Sequence, residues 1–487
     1  MGREDGGMER EDSLVTLVRD RLRLHQGPPS RRLAGALADL AQTGLIVPGT
    51  RLPSERDLAQ AVGVSRGTVA AAFNALCEEG LCERRHGSGT YVLGAPTFGG
   101  LLQPGAGSVP ADLSTSVVPD PSHLVLPPLD PADLLRAPSG HGYDAMGDPR
   151  LRALLATRAP ASIPASIPAS IPAAGPASGP ASVPASGPAS GPASGPASGP
   201  ASILVTAGAQ QGIDLAARVL VRPGDRVLVG DPAYGGALSV FRRAGAYVAA
   251  VDLTSPAAVE AALARHRPAA VYVACVDNPT GAVPPLRHVA ELAAAAGVPL
   301  VEDRTLADLV YDGTPSPEPL ATAHPYGTVT VGSLSKVLWG GLRVGWVTAA
   351  EPLLARLTEA KVDADLATSV VAQRLAADLL ERNPVGPWLA ELDRRREHCL
   401  AALAAHLPEW TWTRPAGGLS VWARLPGTDT DRFAAVAREH GVAVAPGSLF
   451  SPDGRHRDRL RLSFALPPDL LGQALSGLAR AWHAYRA

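Results

Sequence analysis

The chain of 487 residues has few cysteines, no excess of charge and no long apolar run. Each shortage removes a class of protein. The four cysteines, Cys77, Cys82, Cys275 and Cys399, form no CxxC pair and show no ligand spacing with histidine. Neither a disulfide scaffold nor a metal centre is expected, and the thiols read as small, reduced, buried residues of a cytosolic protein. A formal net charge of -2 excludes a global polycation, so any nucleic-acid footprint must be local. The polar opening MGREDGGMEREDS lacks the apolar core of a secretion signal, and no later run is long enough to span a bilayer. The expectation is a cytoplasmic protein with no membrane partner, long enough for two or three domains with their own cores.

What is present divides by composition. Residues 1–29 read as an N-terminal tail, 30–93 as a compact patterned unit, and 94–112, rich in Pro, Gly and Ser, as a linker. A tandem of Pro-Ala-Ser triplets fills 160–202. With few donors and no apolar periodicity, it predicts a disordered, partly polyproline-II loop. After it, strand-like runs (ILVTAG, RVLVGD, AAVYVAC, PLVED, TVTVGS, RVGWVTA) alternate with Ala-rich amphipathic segments. That alternation predicts a mostly parallel sheet wrapped by helices. From about Ala350 the pattern turns helical and ends on GLSVWARL and RLRLSFA, a smaller α+β unit.

In the first unit, Leu33, Leu37 and Leu40 recur at helical spacing, with Ser30 as the expected N-cap and Gly44 as a stop. LPSERDLAQAVGVSRGTVAAAFNALCEEG reads as two helices around a tight turn. Ser54 and Ser65 cap them, Gly63-Val64 forms the turn, Val69, Phe73 and Leu76 make one apolar stripe, and Gly80 closes the second. This is a helix-turn-helix, with Arg66 and Thr68 in the first turn of the recognition helix, where base edges are met. LCERRHGSGTYV follows as two short strands around a Gly-rich tip, a wing carrying Arg84, Arg85 and His86 toward phosphate or minor groove. The unit resembles the winged-helix domain of the GntR family of bacterial regulators through PGTRLPSERDLA, VSRGTV and HGSGTYV. The resemblance implies that Arg56, Ser65, Arg66 and Thr68 contact double-stranded DNA. It also implies that Gly87 to Thr90, with Gly89 among them, form the wing tip beside Arg85 and His86.

VGSLSKVLWGGLRVGW places Lys336 between a strand-like run and a Gly-rich turn. A lysine amine whose environment lowers its pKa is a nucleophile toward an aldehyde. Pyridoxal 5'-phosphate also needs an anion cradle, a ring clamp, a carboxylate for its pyridine nitrogen and a donor for its ring oxygen. TAGAQQGID supplies the cradle, since Gly208-Ala209-Gln210 opens a helix whose N-terminus favours phosphate. Ser333, Ser335 and Arg343 add donors. Tyr234 in GDPAYGG offers a stacking face, Asn278 in VDNPTG a donor, and Asp303 in VEDRTLADL the carboxylate. All fall at carboxyl ends of the expected parallel strands, where open α/β sheets bind ligands.

From about Leu113 onward the chain resembles the fold-type I, aspartate-aminotransferase-like enzymes. The resemblance implies one domain over 113–487, with the Pro-Ala-Ser run as a surface loop inside it. Lys336 would form the Schiff base, Asp303 pair the pyridine nitrogen, Asn278 bond the ring oxygen and Tyr234 stack on the ring. Ala209, Gln210, Ser333, Ser335 and Arg343 would hold the phosphate, and Arg461 would grip a substrate or effector carboxylate. Tyr143 in HGYDAMGDPRLRALL would reach the phosphate of a partner subunit, implying a homodimer. Many relatives carry a tyrosine two residues after this aspartate; here Thr305 stands in its place, which puts turnover in doubt. The order of the two halves resembles the MocR subfamily of transcriptional regulators. That implies a regulator whose aminotransferase-like domain binds pyridoxal phosphate and an amine or amino-acid effector, and whose partner is a DNA operator. The competing reading is a working aminotransferase with an accessory N-terminal domain.

Overall fold

In the computed structural model the described residues are 14–19, 21–23, 25, 27–42, 46, 50–78, 81–85, 88–92, 109–128, 130, 141–158, 202–311 and 313–486. The Pro-Ala-Ser run except Ser202, most of the linker, and the stops expected at Gly44 and Gly80 lie outside them.

The N-terminal unit packs helices Pro29–Gln42, Glu55–Val62 and Arg66–Glu78 against the hairpin β1 (Cys82–Arg85) and β2 (Gly89–Val92). Leu33, Leu40, Leu58, Val69 and Phe73 are fully or almost fully buried in one cluster. Each such side chain contributes about 1.5–3 kcal/mol relative to exposure. Ser54 caps the second helix through Asp57 N, and Gly63, in the left-handed conformation, ends it. Ser65 caps the third, accepting from Thr68 N at 3.1 Å. The first helix begins one residue before the expected cap, at Pro29 rather than after Ser30. Proline at a first helical position lacks only an N–H that the helix would leave unused. The expected tail also contains structure. Residues 14–19 are helical, and Leu14 and Val18 enter the same core.

In the larger unit the central sheet has, among the described residues, seven strands in the order β4-β10-β9-β8-β7-β5-β6. They are β4 (Ile203–Thr206), β5 (Arg226–Val229), β6 (Tyr247–Ala250), β7 (Ala270–Ala274), β8 (Leu300–Asp303), β9 (Thr328–Ser333) and β10 (Gly345–Thr348). β10 alone runs against its neighbours β4 and β9, so the other six share one direction. Alternation builds two covered faces. Val227, Val229, Tyr272, Val301 and Val331 face one cluster with helices Ala209–Leu220, Gly235–Arg243 and Leu353–Asp365. Leu228, Val271, Val273 and Leu300 face another with helices Pro256–His266 and Arg287–Ala295. The register sets Ser333 opposite Gly345 and Gly345 opposite Thr206, so their chain ends meet at one edge of the sheet.

The two sides of the Pro-Ala-Ser run are packed together. Leu151 and Leu155 of helix Pro149–Ala156 share a core with Ile203 and Val205 of β4. The smaller sheet has the order β11-β12-β15-β14: β11 (Thr411–Trp412), β12 (Ser420–Arg424), β15 (Arg459–Ser463) and β14 (Ala445–Pro446). Helix Thr430–Glu439 packs on β14, and helix Pro468–Arg486 packs on that helix. Beside this sheet, β3 (Ala111–Asp112) pairs in parallel with β13 (Val442–Ala443).

Candidate cofactor site and nucleic-acid interface

A cavity of about 590 Å³ opens at the carboxyl ends of the like-directed strands. Ala209, Gln210, Tyr234, Asn278, Asp303, Ser333, Ser335, Lys336, Arg343 and Arg461, each expected in the site, all line it. Tyr143 is exposed and touches His141 instead, so it does not contribute to this chain's own cavity.

The cradle is shaped by backbone. Gly208 has φ +88, and a Cβ there would lie 2.8 Å from Arg343 Nη2. A side chain would fill the space where the guanidinium, which donates to Ala207 O at 2.7 Å, closes over the helix N-terminus. The Ser333 hydroxyl donates to Ser335 Oγ at 3.0 Å, so two hydroxyls stand together at the end of β9. The Gln210 side chain has a further task. It accepts from Tyr234 OH at 3.1 Å and donates to Gly236 O at 3.0 Å, locking the tyrosine ring against the cradle. Burial, with Asp303 nearby, pushes the Tyr234 phenol up to about 12, so it stays a donor.

Asp303, at the end of β8, is almost fully buried. Its Oδ2 accepts from Tyr272 OH at 2.9 Å and its Oδ1 from Thr305 N at 2.9 Å. Burial first, then Asp303, holds the Tyr272 phenol well above its usual range. Lys336 Nζ donates to Ser116 O. Burial and the charge of Arg461 push its ammonium down to about 8; Asp303 opposes this and Arg343 adds to it. That is the environment an amine nucleophile needs. The chain has only one other lysine, Lys361. It is fully buried, paired with Asp365 at 2.7 Å and bonded to Gln211 Oε1 at 3.3 Å, outside the cavity.

Arg461 is 1% exposed. It donates to Asn278 Oδ1 at 3.1 Å and to Ser114 O, and lies 4.6 Å from the Phe450 ring centroid. Burial lowers its pKa to about 10, still well above neutrality. Among the described residues, Thr305 Oγ1 is buried without a hydrogen-bond partner. Such a hydroxyl is a place for a ligand atom or water.

In the N-terminal unit, Arg51, Arg56, Arg66, Arg84, Arg85 and Gly89 line one concavity of about 650 Å³ between the recognition helix and the wing. Glu55 accepts from Arg66 at 3.4 Å and from Arg84 at 3.2 Å. Arg85 bonds Glu83 at 2.7 Å and sits 4.4 Å from the Tyr91 ring centroid. The Ser65 and Thr68 hydroxyls lie 2.8 Å apart at the start of the recognition helix. His86 and Gly87 lie outside the described residues. No described helix is long and apolar enough to cross a membrane.

Residues 196–478 match the family described as Aminotransferase class I and II. The chain belongs to this family. Residues 29–92 match the bacterial regulatory proteins of the gntR family, so the chain joins a gntR-type helix-turn-helix domain to an aminotransferase domain. It is 29% identical over 478 residues to the HTH-type transcriptional regulator TauR of Rhodobacter capsulatus, covering 94% of this chain and 97% of that protein. It is 34% identical over 304 residues to 2-aminoadipate transaminase of Thermus thermophilus, covering 57% of this chain and 75% of that one. The fold is similar to LysN, the alpha-aminoadipate aminotransferase of Thermus thermophilus complexed with N-(5'-phosphopyridoxyl)-L-leucine, at TM-score 0.63 and 27% identity over 80% of this chain and 95% of that one. The cofactor this family implies is pyridoxal phosphate. The cavity fits it: an anion cradle, a buried carboxylate, a depressed lysine and a glycine where a side chain would intrude.

Several contributors were not foreseen. Tyr272 sits mid-strand in an apolar run and looks like core; only the Ala274–Asp303 register brings it beside the aspartate. Ser114 and Ser116 lie in a segment without pattern. The side-chain role of Gln210 has no sequence signal at all.

Proposed function

We propose that the protein is a homodimeric, cytoplasmic transcriptional regulator whose affinity for a DNA operator is set by pyridoxal phosphate and by an amine or amino acid bound with it. One observation carries this reading: an arginine-lined face between recognition helix and wing occurs in the same chain as a cavity built around a depressed lysine. When bound, pyridoxal phosphate supplies an aldehyde and a pyridine ring that withdraws electrons. Lys336 provides the neutral amine that captures the aldehyde. Asp303, fixed by Tyr272, keeps a proton on the ring nitrogen, and Asn278 donates to the ring oxygen. Ser333, Ser335, Arg343 and the N–H groups of Ala209 and Gln210 hold the phosphate, and Tyr143 serves the partner's site. Tyr234 covers the ring, and Arg461 orients a carboxylate. On the DNA side, Arg66 and Thr68 meet base edges, while Arg56, Ser65, Arg85, His86, Gly87 and Gly89 settle the unit on the backbone and groove.

A ligand shifts an equilibrium only if it binds two states differently. The test is therefore a titration of DNA affinity with pyridoxal phosphate in the wild type and in Lys336→Ala. A response retained in the mutant would remove Lys336 from the sensor. Arg461, buried beside Asn278, favours a second reading as a transaminase. Sustained amino transfer from an amino acid to a keto acid, monitored over many turnovers, would decide for it.

A further inference from the structure

One wall of the cavity comes from the segment that follows directly on the linker. Thr115, Ser116 and Val117 line the cavity, and Ser114 and Ser116 are almost fully buried. The segment is rooted beside the smaller sheet. Ala111 N donates to Gly441 O at 3.2 Å, Leu113 N to Ala443 O at 2.9 Å, and Ser463 N to Leu113 O at 2.9 Å. Asp112 then turns the chain inward. Its Oδ1 accepts from Ser114 N at 2.7 Å, Ser114 Oγ at 2.6 Å and Thr115 N at 3.3 Å, and its Oδ2 accepts from Thr115 Oγ1 at 3.0 Å. The turn delivers two carbonyls to two cations: Ser114 O to Arg461 and Ser116 O to Lys336. These are the two groups assigned above to a ligand's carboxylate and aldehyde.

We propose that residues 111–117 form a strap that Arg461 and Lys336 hold in the ligand-free protein, and that ligands release it by taking those donors away. The release would be passed along the chain to the winged helix. This rests on the functional reading above and adds the route by which the site is read. At the Ser116 end, neutral Nζ adds to the aldehyde carbon, a C=N bond forms, and both amine protons leave with the aldehyde oxygen as water. Ser116 O then loses its donor. At the Ser114 end, a carboxylate offers Arg461 two charged acceptors in the planar geometry that a guanidinium fits, and outcompetes one neutral carbonyl. A buried carbonyl left without a donor is unfavourable, so the strap must move to find one. The root in the β3–β13 pair is formed by the last two residues of the expected linker, 94–112, and lies immediately before these carbonyls, so movement of the strap reaches the linker directly.

Two probes separate the carboxylate from the rest of the ligand: N-(5'-phosphopyridoxyl)-L-alanine and N-(5'-phosphopyridoxyl)ethylamine, each added to the full-length apoprotein. Hydrogen exchange of the Leu113, Ser114 and Thr115 amides is the readout, with binding followed separately by probe fluorescence. The alanine conjugate should speed exchange about tenfold over the ethylamine conjugate, the scale of one lost hydrogen bond to a charged donor. Equal exchange with both probes bound would overturn the strap while leaving the cofactor reading intact. Failure of both probes to bind would overturn both. A variant checks the coupling independently. Asp112→Ala, which removes the turn, should leave DNA affinity unresponsive to the alanine conjugate, and Asp112→Asn, which keeps an Oδ1 acceptor, should restore most of the response. A full response in Asp112→Ala, at unchanged probe affinity, would show that ligand and DNA communicate by another route.

Discussion

The two clusters of cations in this chain are built on opposite principles. In the cofactor cavity, Arg461 and Lys336 donate hydrogen bonds to neutral groups, an amide oxygen and two backbone carbonyls, and burial depresses both, against the opposing charges of Asp112 and Asp303. At the winged helix, the Arg66 side chain is 75% exposed and, like Arg84, leans on Glu55. Desolvated cations held by neutral dipoles are poised for one small anion or aldehyde at a fixed place. Exposed cations held by a carboxylate are poised for a polyanion that replaces the carboxylate, with affinity that falls as salt rises. A local basic face on a chain of net charge -2 makes the second design selective for the surface that carries it.

The sharpest break in this contrast is Lys336→Ala. It should abolish covalent uptake of pyridoxal phosphate, read as loss of the borohydride-fixed mass increase, because the only other lysine is buried and paired outside the cavity. A fixed adduct at Lys361 would refute the assignment. The pH dependence comes next. Because the Lys336 ammonium is pushed down to about 8, the neutral amine accumulates as pH rises toward that value. Capture by the wild type should therefore quicken about tenfold per unit of pH below it and level off above. A rate still climbing steeply at pH 10 would mean an ordinary, solvated lysine.

Tyr272→Phe removes a hydrogen bond to a buried carboxylate and should weaken cofactor binding by roughly 1.5–3 kcal/mol. An unchanged dissociation constant would make Tyr272 a core residue and nothing more. Arg66→Ala should cost about 1–3 kcal/mol on the operator and less on random duplex, as for a base contact. Equal loss on both would reassign it to phosphate. The smallest effect belongs to Glu55→Gln. Exposed ion pairs contribute about 0–1 kcal/mol, so stability should barely change, while DNA affinity should rise slightly as Arg66 and Arg84 lose their competitor. A large fall in affinity would show that Glu55 aims the arginines rather than restrains them.

What the sequence made legible follows from where chemistry sits in an open α/β sheet. Asp303, Asn278 and Ser333 end strands or follow them, so short motifs at strand ends mark the cavity in the sequence itself. The caps Ser54 and Ser65 were legible because a capping hydroxyl acts within its own turn. Contacts that depend on register or on chain return were not. Tyr272 alternates inward like its apolar neighbours, and its hydroxyl matters only because β8 lies alongside. Ser114 and Ser116 become partners of Arg461 and Lys336 across more than two hundred residues of chain, where no local pattern can signal the meeting. The helix at 14–19 was hidden by the charged sequence around it.

The central claim is that the cofactor cavity governs DNA binding. It is tested most directly by measuring affinity of the full-length protein for DNA flanking its own gene and for a random duplex, at one fixed salt concentration, with and without pyridoxal phosphate. The account predicts selective binding to the flanking DNA, with an affinity that shifts on adding the cofactor and does not shift in Lys336→Ala. Equal affinity for both duplexes, unchanged by the cofactor, would contradict it.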